Sequence, residues 1–312
     1  MADSVFVIRQ RTGVLGALTS RKWWELVFLR IATYIILINV CFVFLFPVIY
    51  MFSTSLKTVA DLADLTVLWI PRTFFWRNYE LAISGMLYWQ AARNSIIISL
   101  GSGILQTVAC SFVAYGFARI PFPGRDILFL LVLFTFLVPP QTIIVPLFIL
   151  YRNLGFMDTY FPFLIPALFG HGLRGALFIL VFRQFFRNLP YELEDAARID
   201  GAGPFSVYWR IMLPLATPAI IVVFLFSLVW HWNDFFEPTI YLFDQNNFTL
   251  PLRLSILSAA LLQMLAGQGA GDEFNEAVIM AASFLVIMPP LIIYLFTQRY
   301  FVESVDRTGL VE

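Results

Sequence analysis

The residues able to do chemistry in this 312-residue chain are few and badly placed for covalent work. An enzyme would need a nucleophile and a base that converge. Here the two histidines, His171 and His231, lie in separate apolar runs, and no zinc or serine–histidine signature occurs. Cys41 and Cys110 also sit inside long apolar runs, where they read as small buried hydrophobes and not as a disulfide or a zinc site. No G-x-x-x-x-G-K-[ST] phosphate loop is present, so the chain does not bind ATP in that way. What remains is non-covalent. Arg174, with His171 three residues before it and Gly170, Gly172 and Gly175 around it, offers charge pairing inside an apolar stretch. Trp230, Trp232, Asn233 and Asp234 close another such stretch, and Glu192, Glu194 and Asp195 crowd one polar loop.

The elements that carry these residues are set by composition. Hydrophobic residues make up 60% and charged residues 13%, against about a quarter charged in soluble domains. Thirty-four Phe and eight Trp exceed what one core of this length can hide, so the surplus faces lipid. A net charge of zero leaves no broad basic surface for nucleic acid.

Charge-free intervals count the crossings. Arg30 and Lys57 enclose 26 residues, Arg93 and Arg119 enclose 25, and Asp126 and Arg152 enclose 25. Arg210 and Asp234 enclose 23, and Glu276 and Arg299 enclose 22. Each exceeds the roughly 20 residues a helix needs to cross about 30 Å of hydrocarbon. A sixth span lies between Asp158 and Arg183, interrupted by Arg174 alone, and an arginine there should face a cavity. Residues 254–271 are uncharged but diluted by serine, glutamine and glycine, which predicts an interfacial or re-entrant helix and not a seventh crossing. With six spans, thirteen basic residues fall on one side and six on the other, which puts both termini in the cytoplasm. The first apolar run is too long for a cleaved signal core and serves as a permanent anchor. Pro139-Pro140 and Pro289-Pro290 should break the hydrogen-bond ladders of spans three and six and kink them.

Between the crossings, residues 53–93 carry five Trp and Tyr residues at a density suited to headgroup depth. The loop over 188–214 differs in kind. Pro190 suits a first helical position, the acids after it complement a helix dipole, and Gly201 suits a left-handed stop. Pro204 can start a second short helix running to Met212. The pair would form a compact knob, either a structured connector or a docking element.

The spacing of this loop carries a resemblance. Asp195, Ala196, Ala197, Gly201, Ile211, Leu213 and Pro214 match E-A-A-x3-G-x9-I-x-L-P, the EAA loop of ABC-importer permeases, with Asp195 where that pattern has Glu. The 114–125 stretch, Val138 to Gln141, Trp232 to Asp234, and residues 298–302 are similar to carbohydrate-uptake permeases of the MalG type. The resemblance covers roughly residues 26–305, leaving 1–25 as a cytoplasmic leader and 306–312 as a tail.

That resemblance implies an all-α membrane protein of six transmembrane helices in the type I importer fold. It implies a permease subunit in the bacterial cytoplasmic membrane that moves a sugar or oligosaccharide by alternating access. Implied partners are a second, MalF-like permease, two ATP-binding-cassette subunits that hold the ATP and magnesium, and an extracytoplasmic binding protein; the chain itself needs no cofactor. Glu194, Asp195, Ala196, Ala197, Gly201, Ile211, Leu213 and Pro214 would couple to the ATPases, either Glu194 or Asp195 making the charged contact. Arg174 and His171, with Trp230, Asn233 and Asp234, would touch the solute or its pathway. The rival is a stand-alone ion- or proton-coupled carrier, against which stands the lack of buried acids in all six spans.

Overall fold

The computed structural model describes residues 21–263 and 275–309, and the side chains of 24–260 and 275–298. Residues 1–20 of the expected 1–25 leader, the end of the tail, and the 264–271 part of the interfacial segment lie outside the described residues, and residues 21–25 belong to the first helix. Those described fold into helices only, without a strand among them.

Helix α1 (Arg21–Ser55) is followed by two short surface helices, α2 (Val59–Ala63) and α3 (Arg77–Gly85). Next come α4 (Tyr88–Arg119), the pair α5 (Arg125–Leu137) and α6 (Pro140–Asn153), and the pair α7 (Phe161–Leu168) and α8 (Gly175–Asn188). The polar loop holds α9 (Glu192–Ile199) and α10 (Pro204–Leu215), the latter opened into a π turn at Tyr208–Met212. After it run α11 (Thr217–Asn233), α12 (Phe236–Tyr241), α13 (Leu250–Gln263) and α14 (Glu276–Gly309).

Three helices, α1, α4 and α14, are each long and apolar enough to cross a membrane alone. The pair α5–α6 is long and apolar enough only as a bent pair, and α11 only together with α10 of the polar loop, from which it turns by 78°. The sixth crossing is α7 with α8, of 8 and 14 residues, too short singly and interrupted where Arg174 sits. By length and composition, three of the six predicted crossings are single helices among the described residues, two more are bent pairs, and the sixth interval holds the two short helices α7 and α8.

The two proline pairs behave differently. At Pro139-Pro140 the span does more than kink: α5 ends at Leu137, α6 starts on Pro140, and the axes turn by 97°. Pro139 holds an extended ψ that no helix can continue. Pro289 and Pro290 lie inside α14, which runs on through both of them. In lipid the remaining backbone groups have no partner but the helix itself, which keeps it intact across two missing donors.

The packing centre is α4, which touches α7, α8, α11 and α13. Its buried face is small and polar: Ser95, Ser99, Ser102, Gly103, Gln106, Thr107, Ser111 and Ala114. A Cβ at Gly103 would already lie 3.4 Å from Phe224, so the glycine allows α11 to approach closely. Between helices in lipid the hydrophobic effect is weak, and close approach by small residues with interhelical hydrogen bonds takes its place. Ser111 and Tyr208 share a hydroxyl bond of 2.7 Å, Ser95 Oγ accepts from the Leu250 amide at 2.8 Å, and Tyr160 donates to Asn94 at 2.8 Å. By contrast α1 rests mainly on α14 and exposes Phe28, Phe44, Val43 and Ile38. Cys41 shares that exposed face, which corrects the expectation that it is buried; Cys110 on α4 is fully buried.

Candidate functional site

The polar loop forms the knob. Helix α9 begins at Glu192, with Tyr191 as its cap, so Pro190 sits two residues before the first helical position and not on it. Glu192, Glu194 and Asp195 occupy the first turn. The helix stops at Gly201, at φ +82°, with Gly201 N–H on the Arg198 carbonyl at 3.0 Å and Ala202 N–H on Ala197 at 2.9 Å. This pairing satisfies the last carbonyls and needs the left-handed conformation glycine adopts freely. Pro204 then opens α10, as its missing N–H permits.

The helix sorts its residues by face. Glu194 and Ala197 turn inward, while Asp195, Ala196 and Ile199 face out, Ile199 at 86% exposure. Glu194 pairs with Arg119 at the end of α4 at 3.3 Å and with Arg198 at 3.3 Å. Burial raises the Glu194 carboxyl above its ordinary range, opposed by the guanidiniums of Arg119 and Arg198. Asp195 keeps an exposed side chain with Arg198 at 3.7 Å. Of α10, Phe205 and Trp209 are exposed, and Leu213 and Ile211 pack against the core that holds Phe182, Phe186 and Tyr208.

The second candidate lies at the break in span four. A cavity of 620 Å³ opens between α4, α5, α6, α7, α8, α11 and α12, with His171 and Arg174 in its wall. Gly170, Gly172 and Arg174 all have positive φ, which unwinds the chain between α7 and α8. A Cβ on Gly175 would lie 2.3 Å from the Gly170 carbonyl oxygen, so only glycine closes this turn. The freed carbonyls of His171 and Leu173 accept from Gln106 Nε2 of α4 at 3.2 and 3.0 Å. Gln106 Oε1 accepts from Ser227 of α11 at 2.6 Å, and His231 bonds the Ser227 carbonyl at 2.8 Å. Irregular backbone at membrane depth survives only where such partners or a cavity satisfy it.

Arg174 is exposed to the cavity and has no carboxylate partner among the described residues. Its guanidinium lies 5.6 Å from the Trp230 ring centre and 5.7 Å from that of Phe136. Trp230 stacks on Phe178 and Phe226 and does not line the cavity. Asn233 and Asp234 do not line it either. Asp234 accepts the Phe236 amide at 3.0 Å and so starts α12, and Asn233 is exposed outside it. Trp232 is buried, 2% exposed, and donates to the Val286 carbonyl at 3.1 Å. Glu237, Tyr151 and Tyr241, unmarked in the sequence, complete the wall together with Gln141 of the Val138–Gln141 stretch. The one signal for them was Glu237, an acid three residues past Asp234. No group of acids, histidines and cysteines among the described residues could hold a metal ion.

A multi-pass helical membrane protein with an inward-braced knob on one face and a polar cavity at a broken span is built to move a solute. The chain belongs to the family of binding-protein-dependent transport system inner membrane components, matched over residues 106–307. It is 30% identical to the arabinooligosaccharides transport system permease protein AraQ of Bacillus subtilis, across 90% of this chain and 95% of that one. It is 27% identical to the sn-glycerol-3-phosphate transport system permease protein UgpE of Yersinia pestis, across 88% and 95%. In fold it is similar to a chain of a bacterial ABC transporter involved in the import of the acidic polysaccharide alginate, with a TM-score of 0.74, 24% identity, and coverage of 90% and 98%. This chain is therefore a permease subunit of a binding-protein-dependent importer and a transport component, not an enzyme. It works with a substrate-binding protein and ATPase subunits. A stand-alone carrier finds no support.

Proposed function

We propose that this permease imports a saccharide or oligosaccharide, as one half of a heterodimer with a MalF-like second permease, driven by two ATP-binding-cassette subunits that hold ATP and magnesium. Support for a saccharide comes from the names of relatives such as the arabinooligosaccharide permease. In this reading residues 26–305 are one membrane domain, both termini are cytoplasmic, and α9 with α10 projects into the cytoplasm.

The observation that carries the reading is the sorted face of α9. Asp195, Ala196, Gly201 and the exposed start of α10 form the surface for an ATPase cleft, with Asp195 as the carboxylate it meets; Ala197, Ile211 and Leu213 secure that surface from behind, and Pro214 lies exposed at the far end of α10. Small Ala196 allows close backbone approach, and ATP-driven closure then turns the attached helices as rigid bodies. Arg174, His171 and the Glu237 wall line the solute path, Arg174 hydrogen-bonding hydroxyls or pairing a sugar acid. Trp230 holds the Arg174 guanidinium, whereas Asn233 and Asp234 act from the end of span five.

Co-purification of the intact complex, with ATPase rates measured against candidate sugars and their binding protein, tests this. Sugar-stimulated hydrolysis is the expected result. Solute movement by the polypeptide alone, in proteoliposomes without ATP, overturns it.

A further inference from the structure

The inner side of α9 carries an arrangement that docking does not require. Arg119, the last residue of α4, has a side chain with 0% exposure. Its Nε donates to the Phe186 carbonyl at 2.9 Å, and its Nη2 donates to the carbonyls of Phe186 and Leu189 at the end of α8. The same guanidinium pairs with Glu194 of α9 and lies 4.1 Å from the Tyr191 ring centre. One fork thus holds the end of α4, the carbonyl end of α8 and the first turn of α9. The negative end of the α8 dipole and the Glu194 carboxylate both favour a cation there. A lysine cannot reproduce this, because its point charge lacks the planar fork.

The other end of the same rod matters equally. Gln106, thirteen residues before Arg119 and about 20 Å up the helix at ~1.5 Å per residue, holds the unwound carbonyls beside Arg174. The knob and the cavity wall are therefore fastened to one continuous helix at two points. A second, uncharged fastening, Tyr115 to the Pro204 carbonyl at 3.4 Å and Ser111 to Tyr208, joins α10 to α4.

We infer that Arg119, through its pair with Glu194, is the positioning residue that locks the knob to α4 and so turns ATPase movement into movement of the cavity wall. This rests on the reading that α9 and α10 dock an ATPase. The buried pair need add nothing to stability for this role, since such pairs often break even against apolar packing. Its contribution is a fixed angle between α9 and two spans.

The test uses the whole complex in a Cys41→Ser background, with a reporter cysteine at Gln141→Cys, exposed in the cavity wall. The readouts are the ATPase recovered with the permease and the rate at which a water-soluble maleimide labels position 141, with and without ATP, magnesium and vanadate. With Arg119 intact, trapping with ATP should change the labelling rate about tenfold, equivalent to about 1.4 kcal/mol. Arg119→Lys should retain the ATPase, yet shrink that change to less than about twofold. Should Arg119→Lys fail to insert, Glu194→Gln, which keeps shape and drops charge, should show the same loss. An unchanged ATP response in either variant with the ATPase still bound overturns the inference alone. Loss of response only in proportion to lost ATPase assigns the pair a purely structural part and also overturns it. Absence of any ATPase from the wild-type complex overturns the docking reading beneath it.

Discussion

The knob and the cavity are both polar sites in an apolar chain, yet they are built by opposite means. The knob is local: the groups that stop α9 and start α10 lie within about a dozen residues, and Gly201, Pro204 and the acidic first turn act on their own neighbours. The cavity is non-local. Its wall takes residues from seven helices, and the break that exposes Arg174 persists only because Gln106, about 65 residues earlier in the chain, holds its carbonyls. A docking element that must be grasped by a partner can be made from a short segment. A solute path has to be enclosed, and no single helix encloses anything.

Substitutions can break that comparison. The largest effect is expected for Gly201→Asp. A Cβ there meets nothing within 4 Å, so the damage comes from positive-φ strain of about 1–3 kcal/mol and from the added side chain on the outer surface. Uptake should fall to background and ATPase recovery should drop, with membrane insertion intact; normal transport would refute the knob assignment. Gly175→Ala should spare the knob and damage the cavity, since its Cβ collides with the Gly170 carbonyl at a cost of about 3 kcal/mol. Transport should collapse while the ATPase still co-purifies. If both are lost together, the two regions are not separable.

Arg174→Ala is expected to act more gently, raising the KM for uptake about tenfold by removing a charge-assisted hydrogen bond worth about 1.5 kcal/mol. Partial rescue by Arg174→Lys would show that charge matters more than the fork, and an unchanged KM would remove Arg174 from the path. Least of all, Cys41→Ser should leave uptake and stability unaltered within about 0.5 kcal/mol. A lipid-soluble maleimide should label Cys41 and spare Cys110 in the folded protein. Labelling of Cys110 instead would reverse the assignment of α1 as the lipid-facing helix.

Much of this was legible in the chain. The crossings follow from intervals free of charge, because the cost of a charge in hydrocarbon acts residue by residue. The stop at Gly201 follows from a conformation that other residues adopt at a cost. Cys41 was misread because an apolar neighbourhood says nothing about whether lipid or protein surrounds a helix. Trp230, Trp232, Asn233 and Asp234 look like one site in sequence. Helical geometry sends their side chains in different directions, to a stacked wall, the core, the outside and a helix cap.

The sequence by itself determined the apolar intervals and the two helices of the knob, since each depends on the solvation and backbone preferences of adjacent residues. Only the tertiary structure decided that Glu194 turns in to Arg119 while Asp195 faces out, and that Glu237 and Tyr151 share a wall with Arg174. Those relations depend on how helices rotate about their own axes when small residues such as Gly103 let them close, and spacing along one chain does not record that rotation.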